Sequence, residues 1–256
     1  MSLPTALSYL TIIRMPHRRQ YDLSRAIYWF PVVGLFIGGI LALSWWGLVR
    51  VVPVQVASLL VVVEWVWLTG GMHLDGLANT SEALLSWRSR SSMHEILSNP
   101  HIGALGMIAV IAVVASKVVA LQNLPVDRAT TTLFVAPLFG RSAQLLATAI
   151  SRYAKDSGVA VTAFASGRRR WRVFFAVLPL GLAFQLGWVG GTILVVGWFF
   201  LFGILVRRIR SLLGGSTGGT LGALTEISEA WVLVAATVVL PQITWGMLDP
   251  RRFLPF

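Results

Sequence analysis

An all-α, polytopic membrane helix bundle of about seven spans (six to seven), with its N-terminus in the cytoplasm, is the fold this sequence predicts. Of its 256 residues, 56% are apolar and only 12% charged. An ordinary soluble domain carries about 25% charged residues. Mean hydropathy is +0.75, and several apolar runs approach the ~20 residues needed to cross ~30 Å of hydrocarbon. Lys and Arg also gather in alternate loops, as cytoplasmic loops do. Together these features exclude a soluble enzyme, a disordered chain and a fibrous protein. The chain has no cysteine, which excludes disulfides, zinc–thiolate sites, iron–sulfur clusters and a cysteine nucleophile.

In chain order, residues 3–13 form an apolar stretch too short to span, an amphipathic or re-entrant helix. Arg14, Arg18, Arg19 and Arg25 follow this stretch, whereas a signal peptide has its bases in front. Spans are expected at about 27–49 and 54–71, linked tightly at Pro53, and at 103–121 and 130–150. Residues 173–186 and 188–206 are the fifth and sixth, with Gly187, Gly190 and Gly191 where they meet. A tilted or half-inserted hairpin competes with two full crossings there. The seventh is 230–248. With the N-terminus inside, the segments before residue 27 and at 72–102, 151–172 and 207–229 are cytoplasmic and hold 15 bases. The opposite side holds Arg50, Arg128, Arg251 and Arg252. No period of 20–50 residues repeats, so one membrane domain spans 1–256 and no inverted-repeat transporter pattern appears. The net charge is +11, and topology and phosphate binding explain it better than nucleic acid. The lipid bilayer is the expected partner.

Chemistry is expected in the three longer cytoplasmic segments. Thr69-Gly70-Gly71-Met72-His73-Leu74-Asp75-Gly76 opens the first. Asp75, Asn79 and Glu82 then lie at i, i+4 and i+7, on one helix face. Three oxygen side chains beside a Gly-rich turn suit a hard cation such as Mg²⁺; a solvated polar face has the same spacing. Gly214-Gly215-Ser216-Thr217-Gly218-Gly219 precedes Glu226 and Glu229. Amides of such a turn before a helix can cradle phosphate, although a flexible linker with a Ser/Thr cap reads the same. The Walker lysine is absent, so this is no NTPase P-loop. Glu64, Lys117 and Arg141 fall in or near the bilayer, where ionisable residues usually face the protein interior. Snorkelling is the alternative for Lys117 and Arg141. Arg168, Arg169, Arg170 and Arg172 read as a topology determinant. His17, His73, His94 and His101 lack metal-ligand spacing.

These motifs, in their order, resemble the cobalamin synthase family, formally adenosylcobinamide-GDP ribazoletransferase. The resemblance runs from about residue 6 to 240. It rests on Arg14-Met15-Pro16, Phe30-Pro31-Val32-Val33-Gly34, Thr69–Ala78, Lys117, Gly140-Arg141, Tyr153-Ala154-Lys155 with Gly158, and Gly214–Gly218 with Leu221-Gly222-Ala223 and Glu226. It implies a Mg²⁺-dependent enzyme of the bacterial or archaeal inner membrane. Such an enzyme joins α-ribazole, or its 5′-phosphate, to adenosylcobinamide-GDP and releases GMP. By the resemblance the family has Asp at Asn79, Glu82, Asn99 and Gly219, so only Asp75 and Glu82 keep a carboxylate among these five positions.

The expected roles follow. His73, Asp75, Glu82 and Glu226 are catalytic candidates, and Asp75, Asn79 and Glu82 are metal ligands. Lys117, Arg141, Gly214, Gly215 and Thr217 bind substrate, with Arg141 facing its phosphates. A weakly active or non-catalytic scaffold for corrinoid assembly is the alternative function, and a small transporter a more distant one. The sequence leaves open a homo-oligomer or a corrinoid-assembly complex.

Overall fold

The computed structural model describes residues 3–15, 22–86, 89–97, 101–154, 158–165 and 167–245, with 240–245 as backbone only. Pro16, His17, Arg18, Arg19, Asn99, Lys155, Arg251 and Arg252, singled out above, lie outside the described residues.

Proline and side-chain caps set the helix starts. The short helix α1 (Leu3–Leu10) is followed by α2 (Leu23–Ala26), capped by Asp22, whose carboxylate accepts from the Ser24 N–H at 2.9 Å. A 3₁₀ turn (Ile27–Trp29) leads into α3 (Phe30–Leu48), with Pro31 in the first turn, where its missing N–H breaks no helical bond. Pro53 precedes α4 (Val54–Leu68), and α5 (Met72–Leu85) and α6 (Arg90–Ile96) follow. Then come α7 (Ala104–Asn123), α8 (Val126–Ile150) behind Pro125, and α9 (Val161–Ala165). After α10 (Arg169–Val177) and a 3₁₀ stretch (Leu178–Leu186), the chain ends in α11 (Trp188–Leu213) and α12 (Gly218–Trp245). Among the described residues the isolated β pairing is a single bridge, Tyr153 to Ser216.

The chain is an all-α, multi-pass membrane protein. Five helices are long and apolar enough to cross: Leu23–Leu48, Ala104–Asn123, Val126–Ile150, Trp188–Leu213 and Gly218–Val239. A sixth arises if α4 and α5, bent by 90°, count as one broken span. By length and composition these are five or six candidates, against an expected six to seven. Residues 173–186 are not among these because α10 passes into 3₁₀ turns at Pro179, so the stretch forms no single long apolar α-helix. At 1.5 Å per residue, α4 alone covers about 22 Å, short of ~30 Å. The last span begins at Gly218 rather than at 230.

Burial separates the spans into layers. The most apolar stretches of α8 and α12 are 83% and 72% buried, those of α7 and α11 only 22% and 33%. So α8 and α12 form the centre, while α7 and α11 show Ile108, Ile111, Val196 and Phe200 outward. The polar segments meet at one end of the bundle. Arg90 Nε donates to Leu212 O (2.9 Å), His94 Nε2 to Leu213 O (3.1 Å), Arg152 Nε to Gly214 O (2.6 Å), and Ser216 N to Arg152 O (2.8 Å).

Candidate functional site

The site begins at a turn only glycine tolerates well. Gly70 and Gly71 both have left-handed backbone, φ +62° and +68°, which an L side chain rarely adopts. This pair turns the chain sharply after α4 and brings the first two turns of α5 against α12. Gly76 makes the approach close, since a Cβ there would stand 2.6 Å from Gly219 O. Between α5, α12, α1 and α8 lies a cavity of about 130 Å³, lined by Tyr9, His73, Asp75, Gln144, Gly218 and Gly219, with Leu23, Ile27 and Phe30 as its apolar wall.

Asp75 is exposed and accepts a hydrogen bond from Asn79 Nδ2 at 3.2 Å. Glu82 stands elsewhere. Its Oε2 accepts from Gly106 N at 2.9 Å, at the start of α7, where the helix dipole favours a carboxylate. The expected three-oxygen face is therefore divided, Asp75 with Asn79 and Glu82 with α7. Among the described residues no three His, Asp or Glu gather closely enough to hold a metal. His73 is 2% exposed, and neither ring nitrogen has a partner among the described residues. Burial, with the Tyr153 hydroxyl nearby, pushes the Tyr9 phenol above its usual range.

The start of α12 closes the cavity. Thr217 N donates to Thr220 Oγ1 (2.8 Å) and Thr220 N to Thr217 Oγ1 (3.3 Å), a reciprocal cap with hydroxyls at both positions. Thr217, an expected substrate ligand, is thus the helix cap. Gly218 and Gly219, not Gly214 and Gly215, line the cavity, at the positive end of the helix dipole. Gly214 ends α11 with φ +78°, and Gly215 packs against the Arg152 carbonyl.

Behind the cavity the in-span charges pair with one another. Lys117 Nζ donates to Glu226 Oε2 (2.7 Å) and Glu229 Oε2 (2.6 Å), and Arg141 Nη1 to Glu229 Oε1. All four residues are buried, with the Trp65 ring 4.2 Å from the Lys117 ammonium. Lys117 and Arg141 therefore do not snorkel; Glu226 and Glu229 are their anions, and Arg141 Nε and Nη2 have no partner among the described residues. Glu226 lies inside a helix, not in a cytoplasmic loop. Glu64 is not part of the cluster and accepts from Ser44 Oγ at 2.8 Å. Gln144, one turn beyond Arg141, links cavity to interior by donating to Thr225 Oγ1 at 2.6 Å. Sequence reasoning missed Tyr9 and Gln144, since neither belongs to a recognisable pattern. It also missed the pairing, although Glu226 and Glu229 at i, i+3 share a helix face and match the two in-span bases in number.

A family model described as cobalamin-5-phosphate synthase matches residues 2–237. The chain belongs to that family. It is 36% identical to the adenosylcobinamide-GDP ribazoletransferase of Roseiflexus sp. (strain RS-1) over 239 residues, covering 92% of this chain and 89% of that one. The protein of the same name from Herpetosiphon aurantiacus is 36% identical over 247 residues, 94% of this chain and 98% of that one. That from Chlorobaculum tepidum is 32% identical over 256 residues, 96% and 98%. No solved structure matches. In this member of the cobalamin-5-phosphate synthase family, the Gly70–Gly76 segment and the start of α12 are adjacent walls of one cavity.

Proposed function

We infer that this chain is a membrane-embedded adenosylcobinamide-GDP ribazoletransferase, which joins α-ribazole, or its 5′-phosphate, to adenosylcobinamide-GDP and releases GMP in cobalamin nucleotide-loop assembly. The observation that carries the reading is the cavity where the Asp75 carboxylate, the His73 imidazole and the amide end of α12 converge, in a chain matching the family over residues 2–237. The scaffold and transporter alternatives draw no support from that match.

The reaction forms a bond between a ribose hydroxyl oxygen and the phosphorus that bears the corrinoid. It breaks the bridging P–O bond, and GMP leaves with the bridging oxygen. The cavity is smaller than the ~300–1,000 Å³ of a typical ligand pocket, so it receives the reacting phosphates while the corrinoid stays outside. The amides of Gly218 and Gly219 hold diphosphate oxygens at the positive end of α12. His73, within reach and otherwise unpartnered, accepts the hydroxyl proton. Gln144 and the Tyr9 hydroxyl orient the ribose.

Asp75 and Asn79 suit one Mg²⁺ shared with the substrate, because Mg²⁺ typically uses one or two carboxylates plus phosphate oxygens and water. Such an ion would neutralise the diphosphate. Glu82, held at α7, does not fit as its second ligand, and among the described residues no group of three His, Asp or Glu supports a two-metal clamp. We also place the N-terminus in the cytoplasm, with the bases of the 72–102, 151–172 and 207–229 segments on that face, on the strength of the base asymmetry; Glu226 and Glu229 of the last segment lie inside the bundle.

The test is reconstitution in vesicles with Mg²⁺, α-ribazole and adenosylcobinamide-GDP. Corrinoid product with one GMP per turnover is the expected result. Tight substrate binding with no product overturns it in favour of the scaffold, and uptake without chemistry in favour of transport.

A further inference from the structure

A second cavity, of about 780 Å³, shares no lining residue with the first. It lies at the end of α11, between Arg90 of α6, Arg152 after α8, and Arg207 and Arg210. Ile150, Gly203 and Val206 form its apolar part, on the span that shows Phe200 and Ile204 outward. Among the described residues no carboxylate lines it. Among the described residues the three ion pairs all belong to the Lys117–Arg141 cluster, so these four arginines have no acidic partner.

Two of the four are held in place. Arg90 donates from Nε to Leu212 O (2.9 Å) and from Nη2 to Ser211 O (2.8 Å), and Arg152 from Nε to Gly214 O (2.6 Å). These bonds aim the remaining nitrogens at one point. A Cβ on Gly214 would stand 3.2 Å from Arg90 Nη1 and 3.5 Å from Arg152 Nη2. The C-terminus of α11 carries about half a negative charge, too little to balance two converging guanidinium groups with Arg207 and Arg210 beside them. A topology signal requires bases on one side of the membrane; it does not require them to converge on a cavity.

We propose that this groove binds a phosphate group at the membrane interface, the headgroup of an acidic phospholipid, with an acyl chain along Gly203 and Val206. Guanidinium and phosphate match as planar, bidentate, charge-assisted partners. A soluble phosphate would offer the same headgroup chemistry without the chain. The site does not depend on the reaction proposed above.

The experiment passes the full-length protein through vesicles of phosphatidylcholine with phosphatidylglycerol into neutral detergent, and measures retained phosphatidylglycerol by mass spectrometry. Arg207→Gln/Arg210→Gln removes two charges that hold no backbone carbonyl of the fold. Retention should fall at least about tenfold, the effect of losing one charge-assisted contact. Arg207→Lys/Arg210→Lys, which keeps charge but loses the bidentate fork, should fall between. Arg208→Gln, exposed and lining a different pocket, should retain lipid as wild type does. If phosphatidylglycerol is not retained but inorganic phosphate binds with the same dependence on Arg207 and Arg210, the occupant is a soluble phosphate. Equal loss in Arg208→Gln, or no binding of either probe, overturns the site.

Discussion

Replacing Lys117 by methionine should destabilise the protein by about 3–5 kcal/mol, the usual cost of removing one partner from a buried ion pair. The ammonium lies 2.7 Å from Glu226 and 2.6 Å from Glu229, with side chains 5%, 6% and 0% exposed in the order Lys117, Glu226, Glu229. Methionine is close in length, so little cavity opens and the loss is mainly electrostatic. Arg141 still holds Glu229, and Glu226 is left without a cation. Adding Glu226→Gln removes the stranded charge and restores balance. The double variant should therefore recover about 2 kcal/mol, within the coupling seen for contacting residues. Denaturant unfolding in mixed micelles, followed through the 11 tryptophans, measures all four corners of the cycle. If the two single losses simply add, Lys117 and Glu226 are not coupled and the argument from charge balance fails.

Asp75→Asn should abolish turnover and the Mg²⁺ dependence of nucleotide binding, read by calorimetric titration with and without metal; retained metal dependence would place the ion elsewhere. His73→Gln should lower kcat by about 10²–10⁴, the range for a positioned base, with KM for α-ribazole nearly unchanged; a change in KM alone would make it a positioning residue. Gly76→Ala, whose new methyl would press on Gly219 O, should cost about 1–3 kcal/mol, measured in the same unfolding assay. For orientation, Glu95→Cys and Arg210→Cys should be labelled from the cytoplasmic face and Gln122→Cys from the other, all three being exposed. Uniform labelling of Glu95→Cys and Arg210→Cys from outside would invert the topology.

The fold was legible where apolar length alone decides the outcome. The runs at 27–49, 103–121 and 130–150 match helices because their apolar length outweighs Lys117, Pro137 and Arg141 within them. Hydropathy failed where backbone geometry intervened. The 173–186 stretch is apolar enough, but Pro179 divides it between a short helix and 3₁₀ turns. It failed again at α12, because Glu226 and Glu229 depress hydropathy in a window that cannot see Lys117 and Arg141 neutralising them from other helices. Of the Thr69–Gly76 segment, Met72, His73, Asp75 and Gly76 line the cavity. Helical spacing grouped Glu82 with Asp75, but α7 supplies Gly106 N as a competing partner, and no one-dimensional pattern encodes that competition. Tyr9 and Gln144 reach the cavity only through tertiary packing.

The separation of the buried charges along the chain also bears on how the protein is made. Glu226 lies 109 residues after Lys117, and Glu229 lies 88 after Arg141. A charged side chain at mid-membrane costs about 2.5–3.5 kcal/mol on insertion. At ribosomal rates of roughly 5–20 residues per second, the carboxylates trail by about 4–20 s. During that interval α7 and α8 each carry an uncompensated cation, held near translocon, chaperone or lipid headgroup. A chain cut short before residue 226 would leave both cations without these carboxylates.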